Sequence, residues 1–250
     1  MPAPAGGWSA PSQVPVEPAD LAADLIAALR LQASPSDVAG MARFGINPEG
    51  TLGVRIPVLR AMVAQLRPLR RARPEYLHEV AAHLWESGVH EARILAGFLD
   101  VPALVTVQQA NAWVADFDSW DVCDQVTGLF ARTPFAHDLV VSWTAAQPTF
   151  TRRAGFVLIC ALAVHDRSLT DADLIAYLPV IEAAAIDERN FVKKAVNWAL
   201  RQVGKRSPAC RSAAIASAGR IIAAHPESGS ARWIARDALR ELGRQEPRLS

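Results

Sequence analysis

Apolar residues along this chain recur with helical spacing, at intervals of three and four, in stretch after stretch. Two-residue alternation is rare, and no Asn-Gly or Asp-Gly pair marks a hairpin. The pattern predicts helices over 18–31, 36–44, 57–67, 74–86, 89–99, 102–116, 120–132, 135–146, 150–164, 171–185, 189–204, 208–224 and 229–244. Punctuation agrees with many of these starts. Pro57 and Pro74 suit first-turn positions, where a missing N–H costs nothing, and Thr170 with Asp173 has capping-box spacing. The connections are short, so successive helices should run antiparallel. The fold class is therefore all-α. Helix pairs return at intervals of roughly 35–45 residues, which suits a superhelix (α-solenoid) of HEAT-like repeats, with a globular bundle as the alternative. The expected organisation is a disordered Pro/Ala-rich tail over 1–17 followed by one helical-repeat domain over 18–246.

The segment Ser119–Val126, SWDVCDQV, carries unusual chemistry. Ser119 is a natural N-cap. With Val122 at the origin, Val126 falls at about 40° and Leu129 at about −20°, forming one apolar stripe. Trp120 and Asp124 fall at about 160° and 200°, side by side on the far face. Packing of the indole against a neighbouring layer, with Asp124 pairing locally, is the plain structural alternative.

Two further segments present cations. In TFTRRAGFVLICAL (149–162), Ala154, Leu158, Ala161 and Leu162 make the apolar side, and Arg152 and Arg153 stand off it in the first turn. Positive charge there opposes the helix dipole by a few tenths of a kcal/mol unless a partner compensates, which points either to binding or to a salt bridge, Asp124 being one candidate. In NFVKKAVNWALRQVGKR (190–206), Val192, Val196, Ala199 and Val203 form the core stripe. Lys194, Arg201 and Lys205 gather on the opposite face, with Trp198 on a flank. A basic face bordered by an aromatic suits phosphate and sugar contacts, although a solvated face is the commoner reason for one. Arg232, Arg236, Arg240 and Arg244 add a ridge near the C-terminus, with Asp237 and Glu241 as possible neutralising neighbours.

Composition narrows the classes. The formal net charge is only +1, so bulk charge does not announce a nucleic-acid binder. The basic residues include only three lysines; the rest are arginines, which offer bidentate phosphate contacts. Cys123, Cys160 and Cys210 lie far apart and lack metal-ligand spacing, so we expect a reducing compartment, no metal and no disulfide framework. The N-terminus lacks signal-peptide character, and the apolar run 155–164 is too short to span a bilayer. These features predict a cytoplasmic protein with no membrane partner and no cofactor.

Taken together, MARFGINPEGTLGVRIPVLR (41–60), WDVCD (120–124), RRAGF (152–156) and FVKKAVNWALR (191–201) resemble the AlkD-type DNA alkylation repair proteins, in the same order and over about residues 36–245. The resemblance implies a superhelix of HEAT-like repeats that cradles duplex DNA, and a monofunctional glycosylase that excises N3- and N7-alkylated purines. It assigns the cleft to Trp120, Asp124, Arg153 and Trp198. Phe44, Arg152, Lys194, Arg201, Lys205 and Arg236 are the expected DNA contacts, and a monomer is expected. Two positions depart from the family pattern. Phe44 stands where Tyr is common, and Ala161 stands where a basic residue is common.

The implied chemistry is simple. Alkylation leaves the purine cationic and a good leaving group, so a carboxylate that stabilises the developing sugar cation and positions water is sufficient. Indole faces also favour a cationic sugar. The resemblance further implies that the lesion need not enter an enclosed base pocket, unlike the usual base-flipping arrangement. The alternatives are a non-catalytic HEAT-repeat adaptor and a structure-specific DNA-binding protein.

Overall fold

The computed structural model describes residues 8–11 and 14–244, and every regular element among them is a helix. The chain divides after Pro134 into two compact units. The first contains α1 (Pro18–Arg30), α2 (Pro35–Ala42), α3 (Ile56–Ala72), α4 (Pro74–Glu86), α5 (His90–Leu99), α6 (Val107–Ala115) and α7 (Trp120–Phe130). The second contains α8 (Ala136–Thr144), α9 (Thr149–His165), α10 (Asp171–Ile175), α11 (Leu178–Ala183), a 3₁₀ turn (Ala184–Ile186), α12 (Asn190–Lys205), α13 (Pro208–Ala224) and α14 (Gly229–Leu242).

In the first unit α4 packs against α1 and α5, and α5 packs against α3 and α7. Leu25, Leu59, Leu77, Leu84, Leu95 and Val126 are sealed from solvent. Trp85 and Trp113 stack face to face at 4.2 Å, joining α4 to α6. The described residues ahead of α1 lie along α3 and α4. The Gln65 amide donates to Trp8 O at 2.7 Å and accepts from Ala10 N at 2.9 Å, and Tyr76 OH donates to Pro15 O at 2.9 Å. The disorder expected before residue 18 falls, for 1–7 and 12–13, outside the described residues.

In the second unit α9 is wrapped by α8 and α12, and α12 also meets α13 and α14. Val192, Val196, Ala199 and Val203 are fully buried, so the predicted stripe of α12 is its core face. The approach of α9 to α8 requires a glycine. A Cβ on Gly155 would sit 2.5 Å from Thr144 N.

Several helix limits differ from the predicted ones for local reasons. The helix expected to end before Pro68 runs through it to Ala72. One backbone bond is lost there, but Arg70 Nη2 donates to Asp100 O at 2.6 Å and secures the last turn. The predicted 171–185 helix breaks after Ile175 and restarts at Leu178, because Pro179 has no N–H to return to the Ile175 carbonyl. The predicted 102–116 helix starts only at Val107, where Thr106 caps it by accepting from Gln109 N.

Candidate functional site

The tryptophan and carboxylate of α7 emerge as the sequence places them, both half-buried and one turn apart, while Val122, Val126 and Leu129 are buried. Ser119 occupies the N-cap position, but its hydroxyl does not cap the helix. It accepts instead from Asn47 N at 2.9 Å, and Asn47 Nδ2 donates to Asp118 Oδ2 at 2.7 Å. The indole Nε1 of Trp120 donates to Phe44 O at 3.0 Å. The MARFGIN turn is thus stapled to the start of α7, and Trp120 is held in one orientation by main chain. Phe44 itself is 73% exposed. Asp124 is already engaged in a contact of its own.

The rest of the 41–60 motif explains the rigidity of that turn. Gly53 has a φ of 81°, and a Cβ there would sit 2.5 Å from Ser34 O, so only glycine fits. The next N–H groups converge on one buried carboxylate. Glu91 accepts from Leu52, Gly53 and Val54 at 2.9, 2.7 and 3.1 Å. His90, 3% exposed in its side chain, pairs through Nε2 with Asp121 Oδ2 at 2.8 Å. Burial pulls the His90 pKa down, but the hydrogen bond and charge of Asp121 outweigh it, and the net direction is up.

A cavity of about 520 Å³ opens beside Trp120, with Phe44, Met41, Ile94, His90, Asp121 and Gln125 in its wall. Its lining is mainly apolar. Glu91 is spent on three amides, and Asp121 serves His90 and the Val122 N–H. Helical periodicity does not announce this hollow, because its wall gathers residues from α2, the following turn, the start of α3, α5 and α7.

In the second unit the two arginines of α9 depart from the expectation that both stand off the apolar side. Arg153 is 6% exposed, and its Nη1 donates to Phe191 O at 2.6 Å. The reason is that α9 is buried all round from Arg153 to Cys160, so the helix has no polar face at that level. Arg152 meets Asp187 at 3.4 Å. Asp187 is also gripped by Arg189 at 2.6 Å, whose hydrogen bonds hold its carboxyl below the usual range. Arg152 is therefore partly neutralised within its own unit.

The basic face expected on α12 is also corrected. Arg201 pairs with Glu241 and, at 3.7 Å, with Asp237, and Lys205 pairs with Glu241. Burial pulls Glu241 up, but Lys205 and Arg201 together hold its pKa below the ordinary value. The packing of α14 on α12 turns these acids toward α12, so Arg201 and Lys205 are internal ties. Lys194 is exposed, and Trp198 is half-buried. Arg232 and Arg236 are exposed on α14 and have no acidic partner among the described residues, whereas Arg240 pairs with Asp237. Sequence reasoning singled out the arginines of α14 but passed over Trp233. That residue is 42% exposed and has Lys193 Nζ 5.5 Å above its ring.

Among the described residues no group of His, Cys, Asp and Glu could hold a metal ion, and no helix is long and apolar enough to cross a membrane.

No curated protein matches the chain. A solved structure described as a new family of proteins related to the HEAT-like repeat DNA glycosylases, with affinity for branched DNA structures, is similar to it. The two are 17% identical with a TM-score of 0.64, over 78% of this chain and 80% of that one. At that identity the likeness carries the fold, an all-α arrangement of HEAT-like repeats. The family model for DNA alkylation repair enzymes matches residues 25–242, and the chain belongs to that family.

Proposed function

We propose that the protein is a monofunctional DNA glycosylase that releases cationic N3- and N7-alkylated purines from duplex DNA. The observation that carries this reading is the pairing on α7 of Asp124 with an indole locked by Phe44 O, in a chain of this family. The C1′–N bond breaks, and its electron pair leaves with the base, which becomes neutral. Positive charge then develops on the sugar. Asp124 stabilises that charge and orients a water, whose oxygen bonds to C1′ as its proton passes to solvent. Trp120 packs on the deoxyribose and offers an electron-rich face to the cation.

Trp198 on α12, half-buried in the second unit, is proposed as a DNA contact of that unit. Arg153 was expected to grip a phosphate. Its burial and its bond to Phe191 O support a different task, tying α9 to the start of the helix that presents Trp198. Phe44, Arg152, Lys194 and Arg236 remain the proposed DNA contacts, with Arg152 weakened by Asp187.

Because the alkylated base is already cationic before the bond breaks and leaves neutral, no general acid is required. The buried His90 is committed internally to Asp121. The test is base release from duplex DNA carrying N7-methylguanine. Release by the wild type supports the proposal; binding without release favours a second reading, a structure-specific DNA-binding protein. That second reading draws on the affinity for branched DNA in the similar structure and on Arg232 and Arg236 of α14, which have no acidic partner among the described residues.

A further inference from the structure

Helix α14 has three faces with different chemistry. Ala231, Ile234, Ala235, Ala238 and Leu242 are buried. At 100° per residue, Arg232, Trp233, Arg236 and Arg240 fall within an arc of about 100°. Asp237 and Glu241 begin about 40° beyond it, and they are engaged by Arg201 and Lys205 of α12. The acids that would silence the arginine ridge are thereby largely drawn away from it, although Asp237 still reaches Arg240.

The ridge borders an open hollow of about 570 Å³ lined by Gly229, Arg232, Trp233, Arg236, Asp237 and Arg240. The Trp233 indole, 42% exposed, borders this hollow and carries the Lys193 ammonium over its ring. Arg232, Arg236 and Arg240 stand one turn apart, a rise of about 6 Å per step, comparable to the separation of successive phosphates along a strand. A row of guanidinium groups beside a flat indole is what an unpaired nucleotide requires: phosphates on the cations and a base on the ring. An acidic peptide would use the charges but not the indole.

We infer that α14 with Lys193 forms a second nucleic-acid site, which holds single-stranded DNA at a fork or branch by stacking one unpaired base on Trp233. The site rests on the reading of the chain as a DNA-binding protein, but it is independent of the Asp124 chemistry.

The test uses the full chain and three labelled DNAs of equal length, a duplex, a single strand and a fork, with binding read by fluorescence anisotropy. The wild type should bind the fork more tightly than the duplex. Trp233→Ala should lose about tenfold on the fork and single strand, the effect expected for one stacking platform, while duplex affinity and N7-methylguanine release stay unchanged. Trp233→Phe should keep most of the fork preference. An unaltered fork-to-duplex ratio in Trp233→Ala would overturn the inference. So would loss, in that variant, of binding to a polyglutamate peptide in place of the fork effect, which would assign the site to an acidic protein partner. Absence of any DNA binding by the wild type would remove the proposed function as well. Duplex binding and base release without a fork preference would remove this inference alone.

Discussion

Two tryptophans show how one side chain takes opposite assignments from its neighbours. Trp120 on α7 is fixed by a main-chain carbonyl and stands one turn from a carboxylate. Trp233 on α14 stands among guanidinium groups with an ammonium over its ring. The first environment suits a transient cation, as at a sugar losing its base. The second suits an anion, as along a nucleic-acid backbone. Substitutions near Trp120 should therefore change rates, and substitutions near Trp233 should change salt dependence and affinity.

The largest effect expected is on the first side. Asp124→Asn should slow release of N7-methylguanine by roughly a hundredfold to a thousandfold in single-turnover assays, the loss typical of one preorganised electrostatic group. Duplex affinity should hold, because Asp124 lies off the buried stripe of α7. A wild-type rate in this variant would break the contrast at its root.

On the second side, Arg232→Gln with Arg236→Gln should lower the magnitude of the log–log salt slope for single-strand binding by about 1.4, at about 0.7 per phosphate contact. The base-release rate at saturating protein should not move. The control is the pair Arg201→Gln with Lys205→Gln, which should leave the slope nearly unchanged because both cations face Glu241. Equal slope changes in the two double variants would contradict the division of charge between α12 and α14. Glu241→Gln sharpens the same point. It should free two cations and raise DNA affinity while lowering stability by about 1 kcal/mol, read as a shifted denaturant midpoint.

The smallest effect concerns the support beneath Trp120. The pKa of His90 is raised in the folded state, so its pairing with Asp121 stabilises fully below the unfolded value of about 6.5. That contribution is lost as pH rises through the folded-state value. The Tm gap between wild type and His90→Gln should therefore be wider at pH 6 than at pH 8.5. A gap that widens with pH would show the opposite linkage.

The contrast was only partly legible in the sequence. Period, with Pro74 marking the start of α4, gave α4 and α13 to the residue, and period alone gave the buried stripe of α12, because burial of one face is written in the spacing of its apolar side chains. The Trp120–Asp124 pair was legible for the same reason, since both sit on one short helix. What escaped was tertiary. Arg153 looked exposed because its own helix does not reveal that α8 and α12 bury it on every side. Arg201 and Lys205 looked free because their acids come from a helix some 40 residues on. The Glu91 anchor and the cavity beside Trp120 depend on a loop that glycines turn back on α5, and helical periodicity does not report loops.

The central claim is that the charge on the lesion, not its shape, selects it. The most direct measurement is single-turnover release from two otherwise identical duplexes, one carrying N7-methylguanine and one carrying uracil. The cationic base leaves without protonation, and the carboxylate beside Trp120 offers a neutral base no proton. The account predicts release of N7-methylguanine with little or no release of uracil. Comparable rates on the two would contradict it, and would assign base recognition to the cavity walled by Phe44 and Trp120.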